Sequence, residues 1–197
     1  KESSAASDVY KRQDLMEVLN SAATDERVQN ILLRLDNING TGQSVLYDVG
    51  NALQKLKDAG KKIIAVGDYY TRSSYYLASF ADEIILNTDG IVELYGFGRS
   101  RLFYKSLLDK LKIDFNVFRV GTFKSAVEPY IADEMSSAAK EANLSYLNVL
   151  WDSYKDVVAK NRGLTASEIQ NLVDNADVIL TNADESCLLY TSPSPRD

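Results

Sequence analysis

The sequence contains no histidine. Without imidazole, Ser-His-Asp triads, Cys-His dyads and typical zinc sites are excluded within the chain, and a general base must be Lys, Asp, Glu or Tyr. The densest group of candidates runs from Phe118 to Tyr130, FRVGTFKSAVEPY. An apolar strand candidate ends there at Val120, Gly121 allows a tight turn, and Thr122 or Ser125 is placed to cap a following helix. Lys124 then falls at a strand-to-helix junction, where a side chain can point into a cleft. Phe118, Phe123, Ala126 and Val127 are the expected apolar surround. A free lysine ionises at about pH 10.4, too high for a base near neutrality. Burial disfavours the ammonium, and losing the proton leaves a neutral amine that a dry pocket tolerates. Most lysines are solvated surface charges, so residue type alone does not make Lys124 catalytic.

Other chemistry-bearing residues have blander readings. Glu83 with Glu93, and Asp133 with Glu134, are paired carboxylates of the kind expected on a solvated face. Tyr69, Tyr70, Tyr75 and Tyr76 could line a groove, but aromatic pairs at helix starts more often pack. Gly96-Phe97-Gly98 lacks the third glycine and the setting of a dinucleotide fingerprint. No cofactor and no metal site is expected.

These residues need elements to hold them. Leu15–Ala23 reads as a short helix. Val28–Leu35, Lys62–Val66 and Glu83–Leu86 are short, branched and apolar, the pattern of buried strands, with Ile91–Leu94 as a fourth candidate. A helix with Val45, Val49, Ala52, Leu53 and Leu56 on one face ends at Gly60, where a left-handed cap belongs. Tyr75–Ala81 is helix-like, Ser100–Leu111 an amphipathic helix, and Ile113–Val120 a further strand candidate. Leu144, Leu147, Trp151, Tyr154 and Val158 mark a long helix ending near Gly163. Thr165–Glu168 fits a capping box for one more helix, and Val178–Leu180 could begin a strand. Strand and helix in alternation predict an α/β fold with a mostly parallel sheet and flanking helices.

The two ends read differently from the middle. A legal codon choice for Asp8–Gln13, read on the opposite strand, translates as Cys187–Ser192. Such an inverted repeat resembles the ends of a sequencing-library adapter. Residues 1–13 and 187–197 are therefore set aside as adapter-derived, and 14–186 is taken as one domain. That segment carries 18 basic against 25 acidic residues, a net charge of −7. An acidic domain without a basic stripe argues against a nucleic-acid partner. Trimming also removes the single cysteine, Cys187, so no disulfide is expected. No apolar run reaches the roughly 18 residues of a membrane span.

The string GTFKSAVEPY closely resembles the lysine motif of the signal peptide peptidase A (protease IV) family, GT-aromatic-KSA-x-EP. GDYYTRSSYYLASFADEIILNTDGIVELYGF and YKSLLDKLKIDFNVFRVGTFKSAVEPYIADEMS are similar to further stretches of the N-terminal domain of the long, two-domain form. The match covers nearly all of Asp14–Asn175. The resemblance implies a ClpP/crotonase-like fold and a serine endopeptidase with a Ser-Lys dyad. It also implies activity on signal peptides after their release. Lys124 would be the general base, and the serine would come from the protein's own C-terminal domain, so that this segment alone is inactive. Membrane association through a segment elsewhere, a homo-oligomer (a tetramer is one possibility) and a place on the extracytoplasmic side of the bacterial inner membrane are implied in the same way.

Ser73 falls in register with the family's nucleophile motif, a serine followed by two glycines. Here Ser74 and Tyr75 replace the glycines, and Tyr75 is expected to crowd the space for an oxyanion hole. Ser73 is read as a remnant of domain duplication. Gly40 and Gly42 lie where the family's catalytic domain offers oxyanion glycines, but they are not adjacent. Glu128 or Ser125 is a candidate to orient Lys124. Two rival readings remain: a non-catalytic scaffold or oligomerisation module, and an acyl-CoA enzyme on the same fold. The acidic charge and the missing glycine pair speak against the second.

Overall fold

The computed structural model describes residues 4–36, 38, 41–118, 121, 124–175 and 179–180, with side chains described from Lys11 to Asn175 except Thr88. It divides into two compact units, residues 1–95 with 154–197, and residues 96–153.

The first unit is built on a sheet of β1 (Asn30–Arg34), β2 (Lys62–Tyr70), β3 (Glu83–Val92) and β4 (Ile179–Leu180), in that spatial order. β1, β2 and β3 are mutually parallel and β4 joins β3 antiparallel. The mostly parallel α/β sheet with flanking helices is thus present. Parallel neighbours need crossover connections, and helices supply them. Between β1 and β2 runs α2 (Gln43–Asp58), which buries Leu46, Val49, Gly50, Ala52, Leu53 and Leu56. Its end is a Schellman motif: Gly60 has φ +77°, its N–H donates to Lys57 O, and Lys61 N–H donates to Leu56 O. Between β2 and β3 runs α3 (Arg72–Ala78), capped by Thr71, whose hydroxyl accepts from Ser74 N–H at 3.2 Å.

Expectation and structure differ at three strands. β1 is not buried; it lies at the sheet's edge with one described neighbour, and its residues alternate between exposed and half-buried, so one face is uncovered, with Leu32 63% exposed. Glu83–Leu86 and Ile91–Leu94 are not two strands but the one strand β3, with an irregularity in its register against β2 between Gly67 and Tyr69. Ile113–Phe118 forms no strand, and Arg119 and Val120 lie outside the described residues. Lys112, at φ 54°, turns the chain, and no described strand lies alongside to take up the backbone hydrogen bonds of 113–118.

The helix α1 (Ser4–Thr24) begins ahead of the expected Leu15. In the second unit, α4 (Lys105–Lys110) is shorter than the expected Ser100–Leu111, and α5 (Glu128–Ile131) is a single turn. The long helix α6 (Ser137–Arg162) forms, but its apolar stripe is buried only toward the C-terminus. Leu144 is 58% exposed, whereas Tyr154 and Val158, which belong to the first unit, are fully buried. α7 (Ala166–Asn175) opens with the expected capping box: Glu168 Oε2 accepts from Thr165 N–H and Oγ1–H, and Thr165 Oγ1 accepts from Glu168 N–H. These bonds hold the Glu168 carboxyl below its usual range, the backbone bond first.

The core of the first unit is aromatic. Tyr70, Tyr75, Tyr76 and Tyr154 are all buried. Tyr75 meets Tyr70 edge-on at 6.4 Å, and Tyr76 lies 5.7 Å from Tyr154. Edge-on and offset pairs of this kind add to the burial energy of each ring.

Candidate functional site

Lys124 lies in the second unit, on the turn that leads into α5. Gly121 begins that turn at φ +108°, a backbone region closed to other residues without strain. The Lys124 side chain folds back over this glycine. A Cβ there would meet Lys124 Cε at 3.7 Å and Cγ and Cδ at 3.8 Å. The turn is closed by Glu128 N–H donating to Ser125 O at 3.2 Å. The same carbonyl accepts from the Arg101 guanidinium at 3.0 Å. Tyr104 N–H donates to Pro129 O at 2.6 Å, so the 101–104 segment is fastened to the turn at two points.

The expected enclosure of Lys124 is absent from the described residues of this unit. Lys124 is exposed, Phe118 is fully exposed, and Ala126 is exposed. Val127 is half-buried, and Thr122 and Phe123 lie outside the described residues. Among the described residues, 113–118 forms no strand to back the turn on that side.

Glu128 is buried, at 3% exposure, and its carboxylate faces Ser136 rather than the solvent. Ser136 Oγ–H donates to it at 2.6 Å and Ser136 N–H at 3.3 Å. Ser136 in turn caps α6, its Oγ accepting from Ala139 N–H at 3.2 Å. The arrangement is a capping box whose carboxylate comes from eight residues upstream instead of three downstream. Around α5, Tyr130 stacks on Phe115 at 4.8 Å and on Tyr104 at 6.1 Å.

Ser73 sits half-buried in the first turn of α3, in the first unit. Tyr75 does not crowd an open site; its ring is in the core against Tyr70. Gly42 is the N-terminal cap of α2, its carbonyl accepting from Val45 and Leu46 N–H, and Gly40 lies outside the described residues.

Each of the paired carboxylates has a partner of its own. Glu83 bridges Lys62 at 2.7 Å, Glu93 accepts from Tyr69 Oη, Asp133 accepts from Ser106, and Glu134 bridges Lys140 at 3.0 Å. The Ser106 bonds hold the Asp133 carboxyl below its usual range. The Glu93 bond pushes the Tyr69 phenol up to about 12. Among the described residues no group of three metal-ligating side chains converges, and no helix is long and apolar enough to cross a membrane. Sequence reasoning missed Arg101 and Ser136. Ser136 carried a signal, a serine directly ahead of a helical run; Arg101 carried none.

A family model matches residues 55–188, a span that takes in both Ser73 and Lys124: peptidase family S49. The chain belongs to this family. Curated relatives are proteases by name. Protease 4 of Salmonella typhi is 43% identical over 168 residues, covering 84% of this chain and 27% of that protein. Protease 4 of Haemophilus influenzae is 39% identical over 156 residues, covering 79% and 25%. The serine protease SPPA, chloroplastic, of Arabidopsis thaliana is 24% identical over 173 residues, covering 85% and 25%. The S49 chain thus spans about a quarter of the length of these relatives. Among solved structures, an enoyl-CoA hydratase/carnithine racemase from Magnetospirillum magneticum overlaps at TM-score 0.48 and 8% identity, covering 91% of this chain and 57% of that one. A crotonase-type protein from Legionella pneumophila overlaps at TM-score 0.43 and 15% identity, covering 93% and 61%. At that level the likeness says nothing of activity in this S49 chain.

Proposed function

We propose that this chain is the lysine-bearing part of a serine endopeptidase that degrades signal peptides after their release. Lys124 is its general base. The observation that carries the reading is the turn at Lys124: a lysine within the span that the family model matches, presented on a glycine-started, hydrogen-bonded loop. In this reaction a serine from the protein's C-terminal domain attacks the peptide carbonyl. Neutral Lys124 takes the serine proton and then returns one to the leaving amine. The exposure of Lys124 within its own unit fits this division of labour. A lysine base works where water is excluded, so the apposed domain and the bound peptide supply the cover. Residues 14–186 form the domain in this reading, and 1–13 and 187–197 are adapter-derived. The whole protein is a membrane-associated homo-oligomer, anchored through a segment elsewhere, acting on the extracytoplasmic side of the bacterial inner membrane.

The test uses the full-length protein. Lys124→Ala is expected to abolish cleavage of a signal-peptide substrate with an unchanged circular dichroism spectrum, while Ser73→Ala keeps activity. Full activity of Lys124→Ala would overturn the assignment; loss of activity in Ser73→Ala would move the nucleophile into this chain. The exposure of Lys124 also favours a second reading, a non-catalytic scaffold module. Peptidase activity that survives Lys124→Ala would make it the better one.

A further inference from the structure

Glu128 is a charged side chain held at 3% exposure, four residues after Lys124. Burying a carboxylate is costly unless hydrogen bonds repay it, so its position has to be accounted for. Among its partners are Ser136 Oγ–H and N–H, at the start of a helix of 26 residues. The positive end of α6 favours a negative charge there. Its own N–H closes the turn onto Ser125 O. One residue therefore ties the Lys124 turn to the N-terminus of the longest helix.

We propose that Glu128 is a positioning residue for Lys124, acting through Ser136. This rests on the reading of Lys124 as general base. α6 is long and continuous, whereas α5 is one turn and 113–118 is without regular structure. Of the elements flanking the lysine turn, α6 is the stiff one. The Glu128–Ser136 link transfers that stiffness to Lys124, and the Arg101 bond to Ser125 O steadies the other side. A loosened link leaves substrate contacts intact and lets the base wander from the reacting hydroxyl. Misplacement by about 1 Å is enough to lower turnover on the order of 100-fold.

The experiment is steady-state kinetics on the full-length protein with a signal-peptide substrate. Glu128→Gln keeps the shape and removes the charge; Ser136→Ala removes the donor; Ser136→Thr keeps it. Glu128→Gln and Ser136→Ala are each expected to lower kcat by about 10- to 100-fold with KM changed less than about twofold. Ser136→Thr is expected to keep near-normal kcat. The double variant is expected to lose no more than the worse single one, because both break the same link. Thr165→Ala, which removes the α7 cap, serves as a stability control and is expected to lower the melting temperature without changing kcat. If Lys124→Ala is inactive while Glu128→Gln and Ser136→Ala keep kcat within twofold, the positioning role is wrong and the lysine reading stands. Losses that multiply in the double variant would overturn the link. An active Lys124→Ala overturns the lysine reading and this inference with it. Should Glu128→Gln fail to fold, the Ser136 pair decides alone.

Discussion

Tyr154 Oη donates to the carbonyl oxygen of Arg72 at 3.1 Å, joining residues 82 apart in sequence. The phenol is fully buried, and burial pushes its ionisation well above the ordinary range. Through this bond the C-terminal part of α6 grips the first turn of α3, the turn that carries Ser73.

Removing only that hydroxyl should be mild and removing the ring severe. Tyr154→Phe is expected to destabilise the chain by about 0.5–1.5 kcal/mol, the net worth of one hydrogen bond. Tyr154→Ala should cost about 3–5 kcal/mol, because the ring is packed against Tyr76. Urea denaturation of the chain measures both. Equal losses in the two variants would show that the ring contributes nothing beyond its hydroxyl.

The core tyrosines predict a sharp alkaline limit. Burial raises Tyr70 and Tyr75, and lifts Tyr76 to about 12. A phenol whose ionisation is raised by folding contributes stability that is fully present below the unfolded value of about 10. That contribution is lost as pH climbs through the folded value. Between pH 10 and 12 the chain should therefore lose stability steadily. Tyrosinate absorbance at 295 nm from the buried rings should rise together with loss of the circular dichroism signal. Smooth ionisation near pH 10 with the fold intact would contradict the packing described above.

Gly50 of α2 faces Phe80, two residues beyond the end of α3, and a Cβ there would fall 2.7 Å from two ring carbons of Phe80. Alanine ordinarily favours a helix over glycine, by about 1 kcal/mol. At this position the sign should reverse. Gly50→Ala is expected to destabilise by about 1–3 kcal/mol through overpacking. Trimming the ring with Phe80→Leu in the same chain should recover part of the loss, as read by urea midpoints.

Gly121 and Gly60 both hold positive φ, at +108° and +77°, yet substitution should have different consequences. Gly60→Ala disturbs the end of α2 and should lower stability by roughly 1 kcal/mol with peptidase activity of the full-length protein unchanged. Gly121→Ala strains the lysine turn, at a local cost of about 1–3 kcal/mol. Its main effect should be a fall in kcat of about tenfold or more. Matching activities for the two variants would separate the turn's shape from the chemistry.

Much of the scaffold was legible because it is written locally. The Gly60 cap and the Thr165–Glu168 box each depend on residues within five positions of one another, so type and spacing suffice. The strand runs at β2 and β3 are short and branched, which few other structures accommodate. β1 was legible as a strand but not as an edge, because edge position depends on what lies beside it. The strand expected at 113–120 met the same limit: its residues suit a sheet, and no described neighbour completes one. At the site, Lys124 was legible from its motif and its exposure was not, since an enclosing wall is a tertiary fact. The Ser136–Glu128 link escaped because the carboxylate lies eight residues away on another element.

The nesting of the two units has a temporal consequence. The first unit is made of residues on both sides of the second, and its aromatic core is closed by Tyr154 and Val158 from beyond it. On the ribosome, residues 96–153 must emerge before that core can shut. Until then the rings of Tyr75 and Tyr76 wait without their last neighbour. A nascent chain stalled before Tyr154 is thus a bait for chaperones and proteases, whereas one that has cleared Leu180 carries every described core residue and strand of the first unit.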